Sequence, residues 1–84
     1  MALQHNLVLV PIKYEVKGTV FFISFRGDNS WAVESDIFTL NKNNELEYEP
    51  QPSSRNEVYL KNNRYNSPEE GLNQLWEYFS KKLG

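Results

Sequence analysis

The residues of catalytic type in this chain of 84 amino acids do not form a recognisable catalytic constellation. The single histidine, His5, has no neighbouring group in the sequence that would tune it as a general base. Glu34 and Asp36 could act as an acid–base pair, or bind a metal ion with Asp28, but nothing places them in a site that excludes water. No cysteine is present, so thiolate nucleophiles and thiolate metal sites are excluded. We therefore expect a protein that is not an enzyme, with no cofactor, metal or small-molecule substrate.

Arg55, Lys61 and Arg64 form the one local cluster of positive charge in the sequence, and tyrosines lie among them. Cations contact phosphates and aromatic rings stack on bases, so Arg55, Lys61, Arg64 and Tyr65 are candidate nucleic-acid-binding residues. The alternative is that these residues belong to a solvated connecting segment with no binding role, because three cations are few for a nucleic-acid-binding surface. The net charge of −2 also gives no overall field that attracts nucleic acid.

Three glutamates alternate along the sequence, at Glu45, Glu47 and Glu49. A period of two places them on the same side of a strand. The resulting acidic edge would either meet a basic partner protein or keep sheets from pairing edge to edge. The sequence leaves both alternatives open.

The strands that would position these groups begin in a β-branched and aromatic stretch from Leu7 to Phe25. Lys17-Gly18 predicts a two-residue hairpin turn that pairs Val16 with Thr19. The pairs that follow share one apolar face: Tyr14 with Phe21, Ile12 with Ile23, and Val10 with Phe25.

A second reversal is predicted at Arg26-Gly27-Asp28-Asn29-Ser30, where four of the five residues favour turns. It leads into a third strand that begins at Trp31. Pairing Phe25 with Trp31 continues the apolar face, because it also places Val33 opposite Ile23.

A shorter hairpin is predicted to follow, with Phe38 and Leu40 opposite Tyr48 and Leu46. Pro50 and Pro52 lack the N–H that a ladder hydrogen bond needs, so the sheet should end at Tyr48 or Glu49. Beyond the prolines, Ser54 and Glu57 fit a capping box and predict a short helix from Arg55 to Lys61, with Val58 and Tyr59 turned inward.

The C-terminal segment carries a strong helix-start pattern in Ser67-Pro68-Glu69-Glu70: a capping hydroxyl, proline at the first position and acidic residues in the first turn. An apolar stripe follows, formed by Leu72, Leu75, Trp76, Phe79 and Leu83. We expect an α+β fold in a single domain, residues 1–84. In it, an antiparallel β-meander of three to five strands carries this helix on the face of Tyr14, Phe21 and Trp31.

One helix covers one side of a sheet, so the other side should expose an apolar strip made up of Leu7, Leu9, Val20, Phe22 and Ala32. Apolar patches rimmed by charge often bind partner proteins. Alternatively, the N-terminal segment or the connector from Pro50 to Lys61 folds over this strip, or the sheet curls.

Part of the chain resembles small uncharacterised bacterial and phage proteins. The resemblance is carried by Trp31-Ala32-Val33, by Tyr48-Glu49-Pro50-Gln51-Pro52-Ser53-Ser54-Arg55, and by Arg64-Tyr65 before the helix start. It covers the last two-thirds of the chain, and Leu46 stands where those proteins are expected to have tryptophan. The similarity implies a prokaryotic or phage accessory protein.

Two functional hypotheses follow. The first is a non-enzymatic protein-interaction or regulatory module that binds a protein partner or a second copy through Leu9, Val20, Phe22, Glu45, Glu47 and Glu49. The second is a nucleic-acid binder that uses Arg55 to Tyr65. No segment approaches the roughly 20 apolar residues that span a bilayer, so we expect a soluble, cytoplasmic protein without a membrane partner.

Overall fold

A five-stranded antiparallel sheet and two α-helices make up residues 11–83, the part of the chain that the structure, a computed structural model, describes; the side chains of residues 82 and 83 lie outside that description. The strands follow one another in the sheet in chain order, which confirms the predicted α+β meander. Their bounds are β1 Ile12–Val16, β2 Thr19–Gly27, β3 Ser30–Ser35, β4 Phe38–Leu40 and β5 Leu46–Tyr48. The described residues also form a 3₁₀-helix at Pro52–Ser54, helix α1 at Glu57–Asn63 and helix α2 at Pro68–Leu83.

Strand register agrees with the sequence prediction in the three hairpins that were predicted, β1–β2, β2–β3 and β4–β5. Val16 pairs with Thr19 across a turn whose residues Lys17 and Gly18 both have positive φ, at 51° and 84°. Those angles fit the two-residue turn that matches strand twist. The other confirmed pairs are Tyr14 with Phe21, Ile12 with Ile23, Phe25 with Trp31, Ile23 with Val33, Phe38 with Tyr48, and Leu40 with Leu46. The predicted pair Val10–Phe25 lies outside the described residues.

The core lies between α2 and one face of the sheet. Phe21, Ile23, Val33 and Leu40 are fully buried there. The Phe21 ring meets Tyr78 and Phe79 of α2 edge-on, with ring centroids 6.0 and 5.4 Å apart. Phe22 points to the opposite face, as alternation along β2 requires, and is 37% exposed.

Helix α2 is rotated relative to the predicted stripe. Its buried residues are Gly71, Leu75 and Tyr78, whereas Trp76 is 75% exposed, so the prediction that Trp76 faces the sheet is wrong. Gly71 explains the rotation: a Cβ built there would lie 3.1 Å from Cγ2 of Val33. The missing side chain lets this side of the helix approach the sheet closely, and Trp76 moves to the helix flank.

Helix α1 begins later than predicted. Its N-cap is Asn56, whose side-chain oxygen accepts a hydrogen bond from the Tyr59 backbone N–H at 2.8 Å; Ser54 instead ends the 3₁₀-helix. The later start turns Tyr59 and Asn63 toward the sheet, since residues four apart share a face. Val58 is 78% exposed, so its predicted inward orientation is wrong, while that of Tyr59 is confirmed.

The predicted start of α2 is confirmed. The Glu70 backbone N–H donates to the Ser67 hydroxyl at 3.1 Å, and the Glu70 carboxylate accepts from the Asn66 backbone N–H at 3.2 Å. Neither helix in residues 11–83 has the length and apolar character needed to cross a membrane.

Candidate anion-binding site

Helix α1 lies on the sheet face opposite α2. Register places Phe22, Glu34, Thr39 and Glu47 in one row across this second face, from β2 to β5. At the β4–β5 end, α1 packs over the row through Tyr59 and Asn63. Among residues 11–83, the β1–β2 end is more exposed, and Phe22 there is 37% exposed. The connector therefore lies over the β4–β5 end of this face, beside the predicted apolar strip.

The apolar strip is smaller than predicted. Ala32 is fully buried, so its predicted exposure is wrong; Arg26 and Arg64 belong to an ion-pair cluster on the same face. Val20 is half-buried and Phe22 remains partly exposed. Leu7 and Leu9 lie outside the described residues.

Buried hydrogen bonds fasten α1 to the sheet. Asn63 is fully buried; its Oδ1 accepts from the Thr39 hydroxyl at 2.8 Å and its Nδ2 donates to Glu47 Oε1 at 3.1 Å. The hydroxyls of Tyr59 and Thr39 are hydrogen-bonded at 2.8 Å. Burial raises the pKa of the Tyr59 hydroxyl, and its hydrogen bond with Thr39 opposes that rise. These satisfied polar groups fix the position of α1, because leaving any of them unpaired would cost about 1–3 kcal/mol.

Glu49, just after β5, is the centre of an ion-pair cluster. Its Oε2 accepts from Nη2 of Arg26 at 2.9 Å and from Nη2 of Arg55 at 3.1 Å, while its Oε1 accepts from Nη2 of Arg64 at 2.9 Å. Arg26 also donates to Glu34 through Nη2 at 2.7 Å and through Nε at 3.1 Å. The Glu49 side chain is only 15% exposed. One carboxylate thus holds three guanidinium groups together.

The cluster alters the ionisation of Glu49. Burial alone would raise the pKa of Glu49, but the hydrogen bond and charge of Arg26, together with Arg64, outweigh it and bring this pKa below its ordinary value. Burial likewise opposes the charge of Arg26, but Glu34 and Glu49 raise its pKa. Both groups therefore stay charged at neutral pH.

Different local structures deliver the three arginines. Arg26 is the extra residue of a bulge, where the β2–β3 register shifts between Phe25 and Gly27. Arg55 follows the 3₁₀-helix and donates from Nε to the Pro50 carbonyl at 2.8 Å. Arg64 caps the C-terminus of α1, with its guanidinium 5.8 Å from the centre of the Tyr59 ring.

Five cations line a single open cleft of about 650 Å³ beside this cluster: Arg26, Lys42, Arg55, Lys61 and Arg64. The sequence has nine Lys and Arg and eleven Asp and Glu, yet among residues 11–83 the only acidic residue lining the cleft is Asp28. Glu34 and Glu49 pair with the arginines without lining the cleft. When they are counted with Asp28, the cleft region has five positive and three negative side chains. The cleft keeps a local excess of positive charge in a chain whose net charge is −2.

Several donors at the cleft have no acceptor among residues 11–83. Nη1 of Arg26, Nη1 of Arg55 and the Lys61 amine make no hydrogen bond or ion pair in this part of the chain. The Lys42 amine donates to the Lys61 carbonyl at 2.7 Å and lies 5.5 Å from the centre of the Tyr65 ring. Free, charged donors held at fixed positions are suited to binding an anion.

The predicted nucleic-acid residues are only partly accessible. Arg55, Lys61 and Arg64 come together in the cleft, as the sequence grouped them. Tyr65 is 3% exposed, and its hydroxyl donates to the Leu40 carbonyl at 2.9 Å, so its ring cannot stack on a base. Burial raises the pKa of that hydroxyl. Sequence reasoning missed Arg26 and Lys42, because they are distant in sequence from the other three cations. The one signal for Arg26 was its spacing from Phe22, since residues four apart in a strand lie on the same face.

The three glutamates predicted to form an acidic edge, Glu45, Glu47 and Glu49, do not share one exposed surface. Glu45 is exposed, whereas the side chain of Glu47 accepts hydrogen bonds from Asn41 and Asn63, and that of Glu49 is held by arginines. Glu47 and Glu49 therefore face inward, toward α1 and the cluster. Within residues 11–83, no three acidic or histidine side chains are grouped to hold a metal ion.

Comparison with protein-family models, with curated proteins and with solved structures finds no match for this chain.

Proposed function

We propose that this protein is a non-enzymatic nucleic-acid-binding protein that holds backbone phosphates in the cationic cleft. The observation that carries the proposal is the collection of five of the nine Lys and Arg side chains around one opening, whose lining in the described part of the chain contains Asp28 as its only acidic residue. Phosphate contacts supply most of the affinity of sequence-independent nucleic-acid binding.

The arginine cluster supports phosphate binding by preorganisation. Glu49 accepts from Nη2 of both Arg26 and Arg55. The Nε–H groups of these arginines donate to Glu34 and to the Pro50 carbonyl, so Nη1 is the nitrogen left available to an incoming oxygen. Holding the planes in place lowers the conformational entropy that binding would otherwise cost. Lys61, an exposed residue in the lining of the cleft, adds a further positive charge.

The buried tyrosines favour binding without base readout. Tyr59 and Tyr65 are held by the fold and offer no stacking surface. A local excess of about two charges also limits the contact to a few phosphates. We therefore expect weak binding to single strands of any sequence, with an affinity that depends on salt.

Removing Lys61 tests this function. Anisotropy of a labelled single-stranded oligonucleotide, measured between about 50 and 200 mM salt, should show log affinity falling against log salt with a slope of about −2, as expected for three phosphates. Lys61→Gln should weaken binding and bring the slope closer to zero by about 0.7, because one phosphate contact is lost.

The matched control is Lys81→Gln, on the exposed surface of α2, which should leave both affinity and slope unchanged. Inorganic phosphate and a nucleoside monophosphate serve as competitors. Binding that is absent, independent of salt, or equally reduced by both substitutions would refute the proposal.

The partly exposed Phe22 favours a second function, protein binding at the open β1–β2 end of the second face. The ring stands beside half-buried Val20, and Lys13 and Glu15 lie on the same face. In a pull-down, Phe22→Glu should lose the partner while the circular dichroism spectrum stays unchanged. An unchanged set of captured proteins would rule out this surface.

A further inference from the structure

A surface that neither proposed function uses lies at the β1 edge of the sheet. Among residues 11–83, β1 pairs only with β2 and is an edge strand. An apolar groove of about 530 Å³ runs between β1 and α2. Its lining includes Tyr14, Val16, Leu72, Trp76 and Phe79. Trp76, 75% exposed, is a large apolar side chain that the core does not use.

The sequence of β1 is complementary to itself. If two copies of Ile12–Val16 run antiparallel about Tyr14, each Lys13 lies opposite a Glu15 of the other copy, and each Ile12 lies opposite a Val16. Residues directly opposite in antiparallel strands have side chains on the same face, so both contacts are direct. On either side of the central tyrosine pair, each charged residue is therefore opposite a residue of opposite charge, and each apolar residue is opposite another apolar residue.

The backbone of β1 fits the same pairing. A two-residue turn is closed by a hydrogen-bonded pair, here Val16 and Thr19, and hydrogen-bonded pairs alternate along the ladder. The N–H and C=O groups of Lys13 and Glu15 therefore point to the free edge. In the register about Tyr14, the N–H and C=O groups of Lys13 in one copy are opposite those of Glu15 in the other. All of these backbone groups can then form hydrogen bonds between the copies.

Other registers of the two β1 strands give less favourable pairs than the register about Tyr14. A shift of two residues in one direction places Lys13 opposite Lys13 and Glu15 opposite Pro11, which has no N–H to donate. A shift of two in the other direction places Glu15 opposite Glu15. A shift of one residue puts the two α2 helices on opposite faces of the joined sheet. Charge, hydrogen bonding and apolar matching thus select one arrangement.

We infer that the occupant of the β1 edge and its groove is a second copy of this chain. Two β1 strands pair antiparallel about Tyr14, and the two five-stranded sheets become one. Both α2 helices lie on the same face, and the two grooves join above the paired strands, where each Trp76 flanks the tyrosines. The cationic cleft, on the opposite face, stays open in both copies.

Charge reversal at the two facing positions tests this dimer. Analytical ultracentrifugation of the full chain, from low to several hundred micromolar, should show a monomer–dimer equilibrium with a dissociation constant in the micromolar range. Lys13→Glu and Glu15→Lys should each weaken it by about tenfold, because each creates two like-charge pairs across the two-fold axis. The double variant Lys13→Glu/Glu15→Lys should restore it. Trp76→Glu, at an exposed position that leaves the core intact, should also weaken it.

A monomer at every concentration would overturn the inference. So would a dimer whose dissociation constant the two single reversals leave unchanged, or one that the double reversal does not restore. Circular dichroism of each variant shows whether it is folded, and the double variant separates the loss of pairing from a general effect of substitution in β1.

Discussion

Glu49→Ala is expected to lower the free energy of unfolding by about 3 kcal/mol, because it leaves Arg26, Arg55 and Arg64 close together without their shared carboxylate. Removing one partner of a buried ion pair costs about 3–5 kcal/mol, and we expect the lower end of that range because the cluster keeps some contact with water. Domains of this length have a free energy of unfolding of roughly 4–13 kcal/mol, so the loss would be a large fraction of the total. Urea denaturation followed by circular dichroism measures it.

Glu45→Ala is the matched control. It removes an exposed carboxylate four residues away that holds no arginine, and the free energy of unfolding should change by less than about 0.5 kcal/mol. Equal effects of the two substitutions would contradict the assigned role of Glu49.

Acid titration measures the same cluster without a substitution. The pKa of Glu49 is lower in the folded chain than in the unfolded chain, so the stabilisation that it supplies is fully present above its unfolded pKa. That stabilisation is lost as the pH falls through the lower, folded pKa. The Glu49→Ala variant should therefore lose less stability on acidification than the parent protein.

Phe21→Ala is expected to lower the free energy of unfolding by about 4 kcal/mol. The Phe21 ring is fully buried and packs edge-on against Tyr78 and Phe79, so its removal leaves a cavity between the sheet and α2. Phe22→Ala, at the next residue of the same strand, should cost less than about 1.5 kcal/mol because its ring is partly exposed on the opposite face. Equal losses, or a larger loss at Phe22, would mean that α2 packs on the other side of the sheet.

The strand registers could be predicted because local rules decide them. Lys17-Gly18 sets the first hairpin, and a one-residue slip would turn Phe21 and Ile23 out of the core. The same alternation fixed Phe25 opposite Trp31. These choices need only neighbouring residues and the period of a strand.

The rotation of α2 could not be predicted from periodicity alone. Apolar residues occupy Leu72, Leu75, Trp76, Tyr78 and Phe79, so several stripes fit a helix of 3.6 residues per turn. The choice depends on how closely the helix approaches Val33, which Gly71 permits. A contact between residues far apart in sequence therefore decided which aromatic rings are buried.

The cleft was only partly predictable for a similar reason. Arg55, Lys61 and Arg64 are close in sequence and could be grouped. Arg26 is 23 residues from Glu49, and Lys42 is 19 from Lys61; the fold brings these pairs together. The glutamates expected to form an acidic edge include the carboxylate that organises the cluster, which no local pattern distinguishes from its neighbours.

Glu49 links stability to the proposed function. It accepts a hydrogen bond from Nη2 of each of the three arginines, and all three also line the cleft, so the cluster that joins α1 to β2 would also shape the proposed anion site. The protein can thus bring five cations together without unfolding from their mutual repulsion.

Nuclear magnetic resonance of the isotope-labelled protein, titrated with a short single-stranded oligonucleotide at low salt, tests phosphate binding in the cleft most directly. The Nε–H resonances of Arg26 and Arg55 and the backbone amides of Lys61 and Arg64 should shift progressively, while those of Trp76 and Lys13 stay in place. Shifts centred on the β1 edge, or no shift at the cleft residues, would contradict the account.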